Sequence, residues 1–422
     1  MGAVPSPTGS RVTSGVAPPF GSAVRLGVVA VSLLWALAGC GNGGTATNST
    51  PTPSELASPT PTPTPTPSPS PLPPPSPVPV PSFATMRATC TGAPTAREAI
   101  LVMKGSTTKI LADVTDPTHP VKICTLTGGW LPQLVTAGEI SWSASQHAPG
   151  NPGLSVIVTL DVFSGTSAVV ASWQGGGFLD GVHAWSPHRD LLAYLTSDTG
   201  GVDLHLLSGG GDRVVASMGP VPGRGVNPVE DDTFLQFSPD GAYFALAQTW
   251  TASGAHLQVR RVTNGSIAYS QTSATMATWG SIGSKLYFRH PQATVIYIWD
   301  PVGGLTTFGL RLAWIKPRAD AGDDYLAFTV RDAAGTPHVW LYGHGGRAGS
   351  QLPNVRSSPV FLNATSVFYI EEAPCGVNCG PGPATQPNGR SYIYDVTKAA
   401  GAAETASTIL SVIAVWPQPG QI

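Results

Sequence analysis

One unit recurs along this chain and limits the folds open to it: an apolar strand ending in an aromatic residue, a tight turn, and a second strand of alternating apolar residues. Its cleanest copy runs Leu235-Gln236-Phe237-Ser238-Pro239-Asp240-Gly241-Ala242-Tyr243-Phe244-Ala245-Leu246. Pro239 presets φ for the first corner, Asp240 bonds its own backbone, and Gly241 tolerates positive φ. Phe237 and Phe244 are therefore expected on adjacent antiparallel strands. A second good copy is His183-Ala184-Trp185-Ser186-Pro187-His188-Arg189-Asp190-Leu191-Leu192-Ala193-Tyr194. Looser copies start at Trp142, Trp279, Trp314 and Phe361. Second hairpins alternate with them, as at Val158–Gly165, Val259–Ser266 and Ile296–Leu305, so each repeat is expected to hold four strands.

The marker aromatics Trp142, Trp185, Phe237, Trp279, Trp314 and Phe361 lie about 35 to 52 residues apart, a spacing suited to the blades of a β-propeller. The C-terminal Ser411–Pro417 repeats the first strand and its aromatic, Trp416, without a second strand after it. Conversely, Ala99–Met103, Lys109–Val114 and Val121–Thr125 read as outer strands of a blade lacking its inner one. Joining the two ends completes a seventh blade and removes the exposed edges of an open ring. The expected fold is all-β, a seven-bladed propeller closed by its terminal strands, with six or eight blades as alternatives.

The Ser-Pro-Asp-Gly turn with its flanking aromatic and apolar pattern resembles the short repeats of TolB-type and related WD-repeat-like propellers. The strong likeness covers residues 183 to 194 and 235 to 246. The resemblance implies a propeller of the cell envelope that binds protein partners. Blade count in that family is often six.

Residues 1–85 do not fit a core. Leu26–Ala38 is an apolar run after Arg25, too short to span about 30 Å of hydrocarbon but suited to a signal peptide. It ends in Leu37-Ala38-Gly39-Cys40, which resembles the lipobox of bacterial lipoproteins. That resemblance implies cleavage after residue 39 and a diacylglycerol on Cys40, whose acyl chains hold the protein on a membrane. A buried helix carrying a core cysteine is the competing reading, and no amphipathic pattern supports it. Met1-Gly2 with Ser6 also fits an N-myristoylation pattern, but Pro5 and the export signal argue against it. The basic n-region is long and sparse, so translation is expected to start nearer Val24.

From residue 40 to 85 the chain is rich in Pro, Thr and Ser. Proline locks φ and removes amide donors, leaving polyproline II at about 3.1 Å per residue. This is the expected linker, on the order of 100 Å at full reach, with hydroxyls open to O-glycosylation. Residues 86–422 form the expected propeller domain.

Cys90, Cys124, Cys375 and Cys379 remain once Cys40 is set aside, an even number in an oxidising compartment. Three pairings are possible, with Cys90–Cys124 and Cys375–Cys379 favoured. No His lies near the second pair, so a metal site is not expected there.

Only 11% of residues are charged and the formal net charge is −2, without a Lys/Arg run, which excludes an electrostatic footprint for nucleic acid. There is no His-x-x-x-His pair and no Gly-x-Ser-x-Gly elbow. No cofactor is expected. The acidic pairs Asp231-Asp232, Asp323-Asp324 and Glu371-Glu372 are expected in solvated loops. Ligands lodge in concave sites lined by several elements. The candidate binding residues are therefore those expected at the mouths of the inner strands: Glu139, Asp180, His183, Asp231, Asp232, Arg311 and Arg356. A monomeric binding or scaffold module for an envelope protein or glycan is the first functional expectation. The alternative is a polysaccharide hydrolase or lyase, which needs a carboxylate pair about 5 to 9 Å apart.

Overall fold

The computed structural model describes residues 86–146, 153–175, 181–197, 201–219, 233–248, 256–281, 283–289, 295–308, 314–319, 325–343, 347–375, 385–398 and 402–417. The signal, Cys40 and the Pro-rich linker lie outside the described residues.

The strands assemble into seven sheets, each a blade. Blade 1 holds β1 (Arg87–Cys90), β2 (Glu98–Met103), β3 (Lys109–Asp113) and β4 (Val121–Thr127). Blade 2 holds β5 (Trp130–Thr136), β6 (Glu139–Gln146), β7 (Leu154–Asp161) and β8 (Ser167–Gln174); blade 3 holds β9 (His183–Trp185), β10 (Leu191–Ser197), β11 (Val202–Ser208) and β12 (Gly211–Ser217). Blade 4 contains β13 (Phe234–Phe237), β14 (Tyr243–Gln248), β15 (His256–Arg261) and β16 (Ile267–Thr272). Blade 5 contains β17 (Thr275–Trp279), β18 (Leu286–Arg289), β19 (Ile296–Asp300) and β20 (Gly304–Phe308). Blade 6 is β21 (Trp314–Ala319), β22 (Tyr325–Arg331), β23 (Pro337–Gly343) and β24 (Arg347–Gln351). Blade 7 is β25 (Arg356–Phe361), β26 (Ser366–Pro374), β27 (Thr385–Asp395) and β28 (Glu404–Ala406). The last strand, β29 (Ile409–Trp416), returns to blade 1, whose order is β1-β4-β3-β2-β29.

That return is the closure expected from the sequence. β29 pairs antiparallel with β2 from Glu98↔Trp416 to Met103↔Ile409. The extra outer strand β1 was not expected. It places Cys90 opposite Cys124 in the β1/β4 ladder, and these two residues form the favoured disulfide.

Each interface between neighbouring blades has its own apolar slab. Strand alternation supplies it, because successive side chains leave opposite faces of a sheet. Ile100 packs with Ile140 and Trp142 between blades 1 and 2, whereas its neighbours Ala99 and Leu101 pack with Leu362 and Phe368 between blades 7 and 1. Likewise Phe244 and Leu246 face Leu195 and Leu204 of blade 3, while Ala245 and Ala247 face Trp279 and Phe288 of blade 5. Similar slabs join blades 2 and 3, 5 and 6, and 6 and 7. Seven interfaces filled in this way make a closed ring.

The turns behave as their residues dictate. Gly241 has φ 68°, its amide donates to Ser238 O at 2.9 Å, and Asp240 Oδ1 accepts from the Ala242 amide. In blade 3 the left-handed corner falls on Arg189, φ 61°, a conformation costing a non-glycine residue about 1 kcal/mol.

Two markers shift. Trp142 lies on β6, the second strand of its blade, opposite Val158; the inner strand is β5. β5 is hard to see because it contains Pro132 and ends in a two-residue Ala137-Gly138 turn. Trp314 opens β21 opposite Val330, whereas Phe237 closes β13 opposite Phe244, so the two are not register equivalents. The blade count survives because each error stays within one blade.

Removing residues 411–422 takes the inner strand out of blade 1 and exposes β2. Circular dichroism melting of that truncation is expected to lose the cooperative transition of the full chain; unchanged melting contradicts the closure. The Cys90→Ser/Cys124→Ser double variant opens a loop of sequence separation 34. Urea unfolding is expected to show a loss of about 3 to 4 kcal/mol.

Candidate functional site: the axial cavity and the ties around it

The first strand of each blade, and β29 for blade 1, stands at one end of its sheet. A cavity of about 340 Å³ is lined by residues of β5, β9, β13, β17, β25 and β29, together with Thr233 just before β13. It lies on the propeller axis. The side chains of β21 lie outside the described residues.

The polar groups of this lining are amides and hydroxyls. Gln133, Thr233, Gln236 and Thr278 supply them, beside the rings of Trp185, Phe234, Trp279 and Phe361. Both indole N–H groups are engaged within the protein: Trp279 Nε1 donates to Gln236 O at 3.0 Å, and Trp185 Nε1 donates to Ser141 Oγ at 3.1 Å. Gln133 Nε2 donates to His183 O at 2.7 Å. Thr233 Oγ1 is buried with no hydrogen-bond partner among the described residues.

The titratable groups nearby tie blade 2 to blade 3 and tie blade 7 within itself. His183 is buried on β9. Its Nδ1 is 2.6 Å from Gly181 O; a carbonyl only accepts, so the proton sits on Nδ1. Nε2 then accepts from the Ser141 hydroxyl of blade 2 at 2.9 Å. Burial pushes the imidazole down to about 4, against the smaller upward effect of the Gly181 carbonyl. This Ser–His contact has the atoms of a nucleophile and base, but Ser141 is 0% exposed, so it acts as a cross-blade joint.

Glu139 forms an ion pair with Arg189 of the β9–β10 turn. Burial pushes its carboxyl up, opposed by the Arg189 charge. Glu139 and Ser141 both lie on β6, so the Glu139–Arg189 pair and the Ser141–His183 bond join the same two blades.

Arg356, 2% exposed, is held inside blade 7. Its guanidinium bonds Glu371 and Glu404 at 2.7 Å, and lies 3.9 Å from the Tyr392 ring centroid. Tyr392 and Tyr369 in turn donate to Glu371 and Glu404 at 2.8 and 2.9 Å. Despite the desolvation that works against it, Arg356 holds the Glu371 carboxyl down to about 2, with Tyr392 and Asn388 assisting. The Glu371-Glu372 pair is therefore not in a solvated loop: both sit on β26, and Glu372 is buried and accepts from Thr385.

Asp180, Asp231, Asp232, Arg311, Asp323 and Asp324 lie outside the described residues, so the carboxylate spacing demanded by glycosidic chemistry is not addressed for them. Cys375 is disulfide-bonded, while Cys379 lies outside the described residues. Among the described residues no three His, Cys, Asp or Glu side chains gather as a metal site. Gln133, Thr233, Gln236 and Thr278 escaped sequence reasoning because neutral polar residues on short strands carry no motif. Their position one to four residues before the marker aromatic, or on the strand before β6, is the only signal they leave.

No family model matches the chain, and no curated protein matches it. Solved structures with some likeness include TolB from Acinetobacter baumannii, with 18% identity, TM-score 0.39, and coverage of 63% of this chain and 65% of that one. Prolyl oligopeptidase B from Galerina marginata shares 14% identity at TM-score 0.49, covering 78% and 50%. Oligogalacturonate lyase from Vibrio parahaemolyticus shares 8% at TM-score 0.44, covering 75% and 85%. The chain spans less than two thirds of the length of the first two. These likenesses are confined to architecture.

His183 provides a test of the cross-blade joint. Its folded value lies below the ordinary 6.5, so the unfolded chain takes up the proton first as pH falls. The stability it contributes is complete above pH 6.5 and is lost as pH drops toward 4, by up to about 3 kcal/mol. Urea midpoints measured from pH 7 to 4 are expected to fall more steeply in the wild type than in His183→Gln. Parallel slopes contradict the joint.

Proposed function

We propose that this chain is an extracytoplasmic lipoprotein, anchored through diacylglycerol on Cys40, whose propeller binds an envelope partner, protein or glycan, in its axial cavity. The observation that carries this reading is the lining of the cavity. Amides, hydroxyls and aromatic rings from several blades converge there, the mixture that fixes orientation in a concave binding site. His183, Glu139 and Arg356 are engaged in blade ties, which favours recognition over acid–base chemistry by these groups.

The disulfide bonding of Cys90, Cys124 and Cys375 supports an oxidising compartment. Residues 40–85 then act as a spacer that lifts a monomeric propeller from the bilayer. Catalysis on a polysaccharide is the second-ranked role; of the carboxylates beside the inner strands, Glu371 and Glu404 are taken up by Arg356 of β25 and Glu139 by Arg189.

Two variants separate anchor from site. Cys40→Ser is expected to move the protein from the membrane fraction to the soluble fraction while keeping partner capture in envelope pull-downs. Thr233→Arg, which places a long charged side chain at the cavity, is expected to keep membrane attachment and lose capture. Membrane retention of Cys40→Ser contradicts the anchor, and undiminished capture by Thr233→Arg contradicts the site.

A further inference from the structure

Resting on the reading of residues 40–85 as the spacer between anchor and propeller, we infer that β1 and the Cys90–Cys124 bridge form a tension stop. They take up pull arriving along the spacer and keep it off the ladder that closes the ring.

The sheet order places this device. Among the described strands six sheets hold four, while blade 1 holds a fifth, β1, at the outer end of the order β1-β4-β3-β2-β29. Closing the ring needs only the other four. β1 lies where the spacer enters the propeller. Met86, just before it, is buried in the slab between blades 1 and 2, so close to Gly129 that a Cβ there would lie 2.1 Å from the Met86 Cε methyl. Four rungs follow, from Arg87↔Thr127 to Cys90↔Cys124. Pull on the spacer therefore reaches Met86 first, then the rungs of β1 in order, and Cys90 last.

What lies beyond Cys90 explains why the bridge sits at the last rung. Residues 91–97 carry the chain from the outermost strand across to β2. The Thr91 and Gly92 amides donate to Ile123 O, and the Val114 amide donates to Arg97 O. This crossover leads to Glu98, which pairs with Trp416, the final residue of β29. Load delivered to Glu98 enters the closing ladder at its end and breaks its rungs singly. The bridge diverts that load to Cys124, which is fully buried, lies within β4 and pairs with Leu111 of β3. There the pull acts on the middle of a strand, so the rungs on both sides of Cys124 and its packing in the slab shared with blade 2 resist together. β2 is left out of the path. A bridge that only shortens a loop of the unfolded chain is indifferent to this position, whereas a stop must lie at the end of β1, before the crossover.

The test is optical-tweezers pulling on the full chain carrying Cys40→Ser. One handle sits on Asn264 in the exposed β15–β16 turn of blade 4, the other on Thr60 of the spacer or on Ile422. Thr60 loads β1, and Ile422 loads Trp416 and so the closing ladder directly. Pulled from Thr60, the intact chain is expected to lengthen by at most about 14 Å, the four residues of β1, and then to hold at a force above that which opens the ring from Ile422. In Cys90→Ser/Cys124→Ser the lengthening runs on through residue 97, to at most about 40 Å, and the opening force falls to the Ile422 value, which itself changes little. Reductant applied to tethered wild-type molecules gives the same comparison without refolding a variant. Equal forces from Thr60 with and without the bridge overturn the inference; so does an equal loss from both ends, which makes the bridge a general stabiliser. No membrane enters this measurement, so the two levels separate. A working stop with Cys40→Ser still in the membrane fraction keeps the stop and removes the anchor, and a failed stop with Cys40→Ser released keeps the anchor and removes the stop.

Discussion

Everything in this molecule depends on the ladder between β2 and β29. A propeller blade has no core of its own, since each sheet buries both faces against its neighbours. The first and last blades are therefore stable only if the ring closes. Here the chain ends share one sheet, and the ladder from Glu98↔Trp416 to Met103↔Ile409 aligns Ala99 and Leu101 with the slab of blade 7 and Ile100 with that of blade 2. A one-residue slip would exchange these faces and spoil both slabs. Closure also explains the outer reinforcement of the same blade by β1 and the Cys90–Cys124 bridge, which secure the point where the propeller meets the preceding segment.

Polar groups follow from the same geometry. Between blades, a buried charge or amide needs a partner from the adjacent sheet, because unmet polar groups cost about 1 to 3 kcal/mol each. Glu98 accepts from the Gly138 amide at 2.7 Å. Arg260 donates to Val215 O at 3.0 Å, and Ser284 donates to Asp240 at 2.5 Å. These contacts join blades 1 to 2, 4 to 3 and 5 to 4. The titratable side chains are thus drawn into the walls, and the described lining of the axis is left uncharged.

What was legible in the sequence was local or periodic. The Ser238–Gly241 turn, the second hairpins, the terminal half-blades and the first disulfide all announce themselves through turn residues, alternation or cysteine spacing. β5 did not, because Pro132 and the short Ala137-Gly138 turn hide a strand that tertiary pairing nonetheless forms. Arg189 in a left-handed corner was equally hidden, since its pairing with Glu139 is a contact between blades. The candidate site suffered from the same blindness. Glu139, His183 and Arg356 stood out by residue type, yet their partners lie across a blade interface or across the width of a blade. The neutral residues that line the axis stand out by position alone, and position is known only after the ring is closed.

Hydrogen exchange measured by mass spectrometry on the full chain, with and without isolated cell-envelope material, tests the central claim of axial recognition most directly. Protection is expected in peptides covering β9, β13 and β17, with the outer strands β12, β16 and β20 unchanged. Protection confined to those outer strands, or none in any strand, would contradict it.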